Sequence, residues 1–264
     1  MSNTLFIIDP QNDFCDPENG ALYVPGAEND MARLSDFIAT NGPQLDRIVV
    51  SLDSHQRLDI SHPLWYRDEQ GNRPAPFTVI TAADVENGVW RTRRDADHQR
   101  TLDYLHQLKA GDRYPHVIWP EHCLVGHWGH NVWPALHFAL AHWEQENLRR
   151  VEYVYKGTNP YTEHFSAIQA EVPDPNDAAT LPQSELVEQL AQAHTILVAG
   201  EARSHCVANT VRDLDALKSE VSKKLVLLSD TTSDVGGFEA LGEAFVADLM
   251  GKGMRCVTTQ DWTP

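Results

Sequence analysis

The sequence predicts an α/β fold in three layers, with a mostly parallel, doubly wound sheet between two layers of helices. Short apolar runs rich in Ile, Leu and Val, such as residues 5–8, 48–52 and 195–199, are typical of strands that are covered on both faces. Segments in which apolar residues recur at helical spacing lie between most of these runs. Strands that alternate with helices favour a parallel sheet with right-handed connections.

The first strand is predicted at residues 5–8 and ends at Asp9, and a polar loop separates it from a helix over 27–40. The remaining predicted elements are, in order, a strand at 48–52, helices near 98–109 and 130–147, a strand at 151–155, a helix at 183–193, a strand at 195–199, a helix that begins near Cys206, a strand at 224–228, a helix near 238–251 and a strand at 255–258.

One domain is expected to cover residues 1–264, because strands and helices alternate from one end of the chain to the other. Prolines, glycines and charges dominate a segment at about 63–116. We interpret this segment as a lid-like insertion carried by the main domain, with too few apolar residues to predict a core of its own. The loop 157–182 is also predicted to be irregular, since it is rich in Pro, Asp and Asn.

The composition limits the class of partner. A formal net charge of −17 over 264 residues argues against binding to nucleic acid or anionic membranes. We expect no signal peptide, because the first residues lack a basic stretch followed by an apolar core, and the four widely spaced cysteines are typical of a reducing compartment. We therefore expect a cytoplasmic protein that binds a small molecule. Parallel-sheet domains often associate through their helices, so a homo-oligomer is also expected.

Four polar residues that each follow a predicted strand are the main candidates for catalysis. They are Asp9, Asp53, Lys156 and Cys206. Ligands of such folds bind beyond the carboxyl ends of the strands, where these side chains would meet. A cysteine at a helix start is favoured as a thiolate, and the neighbouring amides could hold an oxyanion. Lys156 could orient Asp9, which would take the thiol proton. Two simpler interpretations stay open: a buried structural cysteine and a structural Asp9–Lys156 ion pair.

A second group of residues suggests a metal site. Asp53 and His55 lie two residues apart, so an extended segment places both side chains on one face. His122 could supply a third ligand, and two histidines with one carboxylate suit catalytic zinc, iron or manganese. Asp59 and His62 are further candidates. The alternative is that these are ordinary surface or core residues, since the chain has 13 histidines.

Five motifs, taken together and in this order, resemble the isochorismatase-like cysteine hydrolases, and within them the nicotinamidase (pyrazinamidase) branch. The motifs are IIDPQNDF at 7–14, DSH at 53–55, WPEHC at 119–123, KGT at 156–158 and GEARSHCV at 200–207. The resemblance extends from the first strand to the last, apart from the long middle segment.

The resemblance implies a fold, a reaction and a set of roles. The reaction is hydrolysis of a small carboxamide, nicotinamide above all, through a cysteine thioester, which would serve NAD salvage. The implied residues are a catalytic triad of Asp9, Lys156 and Cys206 and a divalent metal, zinc with iron or manganese as alternatives, held by Asp53, His55 and His122.

The resemblance also implies how the substrate is bound. A cis peptide between Glu201 and Ala202 would aim the N–H groups of Ala202 and Cys206 into an oxyanion hole. Phe14 and Trp119 match positions where the family packs aromatic side chains around the substrate ring, although core packing would also explain them. The other residues expected at the substrate are Glu201, Ala202 and His205.

Two departures concern the substrate. Nicotinamidases typically carry Thr and Tyr or Phe where this chain has Arg203 and His205, and an arginine near the pocket would favour an anionic amide. The segment between His62 and Trp119 is longer than in compact nicotinamidases. The alternatives to a nicotinamidase are a cysteine hydrolase for another small amide or carbamoyl compound, with or without metal, and a catalytically silent binding member of the family.

Overall fold

A computed structural model of the chain describes residues 2–264. Its strands are β1 (Asn3–Ile8), β2 (Arg47–Asp53), β3 (Tyr66–Arg67), β4 (Arg91–Thr92), β5 (Glu152–Lys156), β6 (Thr195–Gly200), β7 (Leu225–Leu228) and β8 (Arg255–Val257). Six of them form one parallel sheet in the order β5-β2-β1-β6-β7-β8, and β3 and β4 form a separate antiparallel pair. The predicted fold class is confirmed.

The helices are α1 (Asn12–Cys15), α2 (Ala27–Asn41), α3 (Ala82–Glu86), α4 (His98–Ala110), α5 (Pro134–Asn147), α6 (Ser184–Gln192), α7 (Ala208–Leu217) and α8 (Glu239–Gly251). Short 3-10 helices lie at Gly42–Gln44, Pro63–Trp65, Asp95–Asp97, Trp128–His130 and Ser219–Lys224, and one π-helical turn covers Arg203–Val207. No helix within residues 2–264 combines the length and the apolar character needed to cross a bilayer.

The central strands of the sheet are buried because helices cover both of its faces. The chain moves outwards from β1 in both directions, so right-handed connections place α2 and α5 on one face and α7 and α8 on the other. α2 packs against α5, and α7 packs against α8. β1, β6 and β7 are accordingly buried along their whole length, as their continuous apolar sequences predict.

Gly200 fixes the separation of the two central strands at the edge that carries the site. It ends β6 opposite Ile8, the last residue of β1, and its φ is +106°. A Cβ atom at position 200 would overlap the backbone carbonyl oxygen of Ile8. This carbonyl accepts a hydrogen bond from the N–H of Glu201 (2.7 Å), so the segments that follow β1 and β6 stay adjacent.

The inserted segment has a small core, which its composition did not predict. β3, α3 and α4 belong to this segment, and a second apolar cluster lies among them, separate from the main core. Its buried members are Ile60, Trp65, Tyr66, Ile80, Val85, Tyr104, Leu105, Leu108 and Ile118. These residues are too widely spaced along the chain to form a visible pattern, because each short element contributes only one to three of them.

Candidate active site and metal centre

Four side chains from the ends of four strands meet at the carboxyl edge of the sheet. Asp9 directly follows β1, Asp53 ends β2, Lys156 ends β5, and Cys206 lies in the π-helical turn after β6. The Nζ atom of Lys156 is 2.9 Å from Asp9 Oδ2, 3.0 Å from Asp53 Oδ1 and 3.7 Å from Cys206 Sγ. All four residues are buried. This is the convergence that the strand ends predict.

Lys156 is held as a cation. Burial opposes its charged form, but the carboxylates of Asp53 and Asp9 outweigh this effect and raise the pKa of Lys156 well above its usual range. Its Nζ also donates a hydrogen bond to the backbone carbonyl of His164 (2.8 Å). The ammonium group therefore has a fixed position between two carboxylates and the thiol.

Asp9 has the environment of a base. Burial raises the pKa of its carboxyl, although Lys156 opposes this shift. Ser51 donates a hydrogen bond from its hydroxyl to Asp9 Oδ1 (2.6 Å) and thereby orients the carboxyl group. A carboxylate with a raised pKa accepts a proton more readily at neutral pH.

Burial raises the pKa of the Cys206 thiol well above its usual range, against the opposing charge of Lys156, and the charges of Asp9 and Asp53 add to this rise. The thiolate expected from a position at a helix start is not the form that this burial favours. A proton acceptor is therefore needed before the sulfur can attack, and Asp9, which contacts the same Lys156 Nζ as the thiol, is the base that the cluster offers.

The turn that carries Cys206 begins with a cis peptide between Glu201 and Ala202, as the resemblance implies. The N–H of Ala202 donates no hydrogen bond to any acceptor within residues 2–264. The carbonyl of Ala202, by contrast, accepts hydrogen bonds from the N–H groups of His205 (3.0 Å) and Val207 (3.1 Å), which tighten the turn.

Asp53, His55 and His122 form the cluster that could hold a metal ion, and their ligand atoms lie within 4.8 Å of one another. The Nε2 atoms of His55 and His122 are 3.0 and 3.3 Å from Asp53 Oδ2. Burial would raise the pKa of Asp53, but His55 and Lys156 hold it well below its usual range. Asp53 thus contacts Lys156 with one oxygen and the two histidines with the other.

The hydrogen bonds behind the two histidines make this cluster suitable for a metal. His55 Nδ1 lies 3.1 Å from Asp59 Oδ2, and His122 Nδ1 lies 2.8 Å from the carbonyl oxygen of Pro120. Both partners are acceptors, so each Nδ1 carries a proton and Nε2 is the atom left for a metal. Burial opposes the charged form of His55, but Asp53 and Asp59 raise its pKa well above its usual range, so the Nε2 of His55 would release a proton when a metal binds. Two nitrogen lone pairs and a carboxylate oxygen then converge, which is the donor set of a catalytic zinc, iron or manganese site.

The two further metal candidates lie behind this cluster. Asp59 binds His55 by a hydrogen bond and accepts two more from the N–H and hydroxyl of Ser61, so it orients a ligand. The His62 ring lies 5.0 Å from that of His55, and its Nδ1 is 3.1 Å from the carbonyl oxygen of Gln56. Burial lowers the pKa of His62 to about 3, and its ligand atoms do not belong to the three-residue group.

A small cavity joins the cysteine to this cluster. Its lining residues are Phe14, Leu22, Asp53, Trp119, His122, Glu163, Phe165, Ala202, His205, Cys206 and Val235. Its volume of about 30 Å³ leaves room for roughly one water molecule. Two larger grooves of about 530 and 590 Å³ lie elsewhere and include none of these residues, so we place the chemistry in the smaller cavity.

Aromatic rings surround the apolar part of the cavity. The His205 ring lies 5.2 Å from that of Trp119, 5.3 Å from that of Phe165 and 4.9 Å from that of Phe238. Burial lowers the pKa of His205 to about 4, so the imidazole is neutral at pH 7. Phe14 lines the same cavity beside His122, with the two rings 5.5 Å apart.

Two expectations for the nucleophile turn differ from the structure. The Glu201 side chain, expected at the substrate, is fully buried outside the cavity, where Oε2 accepts a hydrogen bond from the N–H of Ser233 (3.0 Å). Arg203, expected near the pocket, pairs with Asp234 through Nε (3.0 Å) and Nη2 and does not line the cavity. Both side chains pack against the loop after β7, which the sequence pattern did not place beside this turn.

Two residues of the site, Glu163 and Ser51, were not predicted from the sequence. Glu163 lines the cavity from the irregular loop after β5, where neither a strand end nor a periodic pattern singles it out. Ser51 lies within an otherwise apolar strand. A polar residue inside such a strand was the sequence signal that could have indicated its contact with Asp9.

Comparison with solved structures identifies the fold. The yeast nicotinamidase Pnc1p matches 97% of this chain and 99% of its own with 21% identity and a TM-score of 0.67, and it has also been solved with the inhibitor nicotinaldehyde. A Pyrococcus horikoshii pyrazinamidase in complex with zinc matches 98% and 99% of the two chains (18% identity, TM-score 0.57). An isochorismatase-like hydrolase from Alkaliphilus metalliredigens matches 98% of this chain and 96% of its own, with 18% identity and a TM-score of 0.54. No protein-family model and no curated protein matches the sequence.

The chain therefore has the isochorismatase-like hydrolase fold. Within that fold, the structures that it resembles over nearly its whole length include nicotinamidases and pyrazinamidases.

Proposed function

We propose that this protein is a metal-containing cysteine amidohydrolase of the nicotinamidase type, which converts a small carboxamide to the acid and ammonia. The observation that carries the proposal is the contact of Lys156 Nζ with Asp9, Asp53 and Cys206 within one buried cluster. A nucleophile, a base and a cation are thereby assembled beside a cavity lined by aromatic rings.

The first half of the reaction forms a thioester. Asp9 accepts the thiol proton while Cys206 Sγ attacks the carbonyl carbon of the amide. The N–H groups of Ala202 and Cys206 stabilise the negative charge on the carbonyl oxygen. Asp9 then donates its proton to the nitrogen, the C–N bond breaks, and ammonia leaves. Lys156 remains charged throughout and orients Asp9.

The second half releases the acid. Asp9 takes a proton from a water molecule, which attacks the thioester carbon. The C–S bond then breaks, and Asp9 gives the proton to the departing sulfur, which restores the thiol and the carboxylate. Asp53, His55 and His122 would hold the divalent metal, zinc first, with iron or manganese as alternatives. Such an ion would supply a Lewis acid that binds water and helps to orient the substrate ring.

Support for nicotinamide as substrate comes from the resemblance to nicotinamidases and from Phe14 and Trp119 in the cavity wall. The main reason to expect an anionic amide was a free Arg203 near the pocket. That reason no longer holds, because Arg203 pairs with Asp234. The complete triad argues against a catalytically silent binding protein. A cytoplasmic homo-oligomer, a role in NAD salvage and a lid formed by residues 63–116 of a single domain remain predictions from the sequence.

The decisive experiment measures ammonia release from nicotinamide, with elemental analysis of the same purified sample. We expect turnover with about one metal ion per chain. Cys206→Ala should abolish the release, whereas Cys256→Ala, at a half-buried cysteine outside the cavity, should retain it. Ammonia release that is unchanged in Cys206→Ala would refute the mechanism. Bound metal without nicotinamide turnover would redirect the proposal to other small amides or carbamoyl compounds.

A further inference from the structure

One carboxyl group in the wall of the Cys206 cavity has no task in the reaction above. Glu163 lines this cavity, and only 4% of its surface is exposed. Its Oε1 accepts a hydrogen bond from the backbone N–H of His164 (2.9 Å). Its Oε2 is buried and has no hydrogen-bond partner within residues 2–264. Buried polar atoms of native proteins almost always have a partner, so a carboxyl oxygen without a partner on a residue of the cavity wall indicates a ligand.

The position of Glu163 is fixed by its neighbours. Its backbone carbonyl accepts hydrogen bonds from the N–H of Glu171 (2.9 Å) and the hydroxyl of Thr162 (3.2 Å). The next residue, His164, accepts the hydrogen bond from Lys156 Nζ. The lysine of the proposed triad therefore also anchors the loop that presents Glu163 to the cavity.

Most other polar groups of the cavity wall already have partners. Asp53 Oδ2 contacts His55 and His122, and Asp53 Oδ1 faces Lys156 Nζ. His205 Nδ1 lies 2.9 Å from the hydroxyl of Ser204. Besides Glu163 Oε2, Trp119 Nε1 is the buried side-chain atom of this wall that lacks any polar contact.

Glu163 also lies beside the candidate metal cluster. Asp53 and His122 share the cavity wall with Glu163. A catalytic metal held by three protein ligands would keep a position open for water or substrate, and outer hydrogen-bonding groups commonly orient what binds there.

We propose that Glu163 is a positioning residue for the group that occupies the open side of the Asp53–His55–His122 cluster. Its Oε2 makes a hydrogen bond with a polar group held there, which is either a water molecule on the metal or a polar atom of the substrate. This inference rests on the proposed function for the identity of the substrate, but its metal-binding part does not require turnover.

The test compares Glu163→Leu with Glu163→Gln in two binding measurements. The first is the affinity for Zn²⁺ in competition with a chelator. The second is the affinity of the Zn²⁺-saturated Cys206→Ala protein for nicotinamide, measured by titration calorimetry. We expect Glu163→Leu to lose about 10- to 100-fold in the first measurement if the partner is a metal-bound water. It should lose about 10-fold or more in the second if the partner is a substrate atom. Glu163→Gln should recover most of the loss, because its amide can still form the hydrogen bond.

Glu171→Leu is the matched control, since Glu171 is an equally buried carboxyl from the same loop that lies outside the cavity, where Arg113 Nε is 3.6 Å from its Oε2. Circular dichroism shows whether each variant is folded. The proposal is overturned if both affinities of Glu163→Leu stay within about twofold of the parent protein, if Glu171→Leu loses as much, or if Gln restores nothing. Absence of ammonia release by the unmodified protein would instead refute the proposed function, and the Zn²⁺ measurement would still be interpretable.

Discussion

Tyr114 donates a hydrogen bond from its hydroxyl to the backbone carbonyl of Ser204 (3.2 Å) and so connects the inserted segment to the turn that carries Cys206. The same hydroxyl accepts a hydrogen bond from Arg212 of α7 (2.7 Å), and the Tyr114 ring packs edge-on against His205 at 5.5 Å. Because His205 lines the cavity, the end of the insertion supports one wall of the site.

Removing the hydroxyl of Tyr114 should weaken the support of this cavity wall while the aromatic ring remains in place. We expect Tyr114→Phe to lower the free energy of unfolding by about 1 kcal/mol, the contribution of one hydrogen bond. Iodoacetamide should also alkylate Cys206 faster, because the cavity is too small for a reagent unless its walls move. Tyr153→Phe, at a half-exposed tyrosine of β5, is the control that should change neither quantity. An unchanged alkylation rate in Tyr114→Phe would contradict a supporting role for the insertion.

Asp9 is expected to act as the base, so Asp9→Asn should lower kcat about 10²- to 10⁴-fold while the protein stays folded. The amide is similar in shape but cannot accept the thiol proton. Ser51→Ala keeps the carboxylate and removes only its hydrogen bond from Ser51, so it should reduce kcat much less. The two variants are compared by steady-state ammonia release. A kcat for Asp9→Asn above a tenth of the wild-type value would show that another group takes the proton.

Asp59 should control metal affinity although it is not a ligand. Its hydrogen bond to His55 Nδ1 orients the ring and keeps Nε2 free, so Asp59→Asn should weaken metal binding about 10- to 100-fold. Chelator competition with Zn²⁺ measures this effect. Asp97→Asn, which alters another buried aspartate outside the cluster, should bind Zn²⁺ like the wild type. Equal affinity in all three proteins would refute the orienting role.

The inserted segment contains a histidine that should make the fold sensitive to acid. Burial lowers the pKa of His116 to about 4, and its ring nitrogens face the hydroxyls of Tyr66 (3.1 Å) and Tyr104 (3.4 Å). The unfolded chain binds a proton at this residue below a pH of about 6.5, whereas the folded chain does not until about 4. Stability is therefore lost as pH falls through this interval, by about 2 kcal/mol at pH 5.

Urea unfolding at pH 7 and pH 5 tests this dependence. In His116→Gln, the difference between the free energies of unfolding at pH 7 and pH 5 should be about 2 kcal/mol smaller than in the wild type, because glutamine does not titrate. His142→Gln, at an exposed histidine, should leave the difference as it is in the wild type. If His116→Gln shows the full wild-type difference, other buried groups cause the acid sensitivity.

The sequence could predict the meeting of Asp9, Asp53, Lys156 and Cys206, because the carboxyl ends of parallel strands share one edge and each residue follows a recognisable apolar run. The periodic helices were predictable for a similar reason: each buries one stripe of apolar residues. The direction in which a side chain points, however, does not follow from its position in the sequence. Glu201 lies within the nucleophile turn, yet its side chain points to the loop after β7.

Contacts between irregular segments were beyond the sequence. The hydrogen bond of Tyr114 to Ser204 joins residues 90 positions apart, and Glu163 reaches the cavity from a loop without periodicity. Burial also reversed the expected acidity of Cys206, since desolvation depends on how tightly the neighbouring walls close. The sequence thus predicted the strand-borne groups, whereas loop packing determines their environment.

Gly200 gives the site a component that has no side chain. Asp9 follows β1 and Cys206 lies in the turn after β6, so the distance between base and nucleophile depends on how closely the backbones of β1 and β6 approach at Ile8 and Gly200. Even a methyl group at position 200 would act as a spacer between them. The geometry of the triad therefore depends on the backbone beneath it. A side chain at position 200 would change the distance between Asp9 and Cys206, although none of the three triad residues would be replaced.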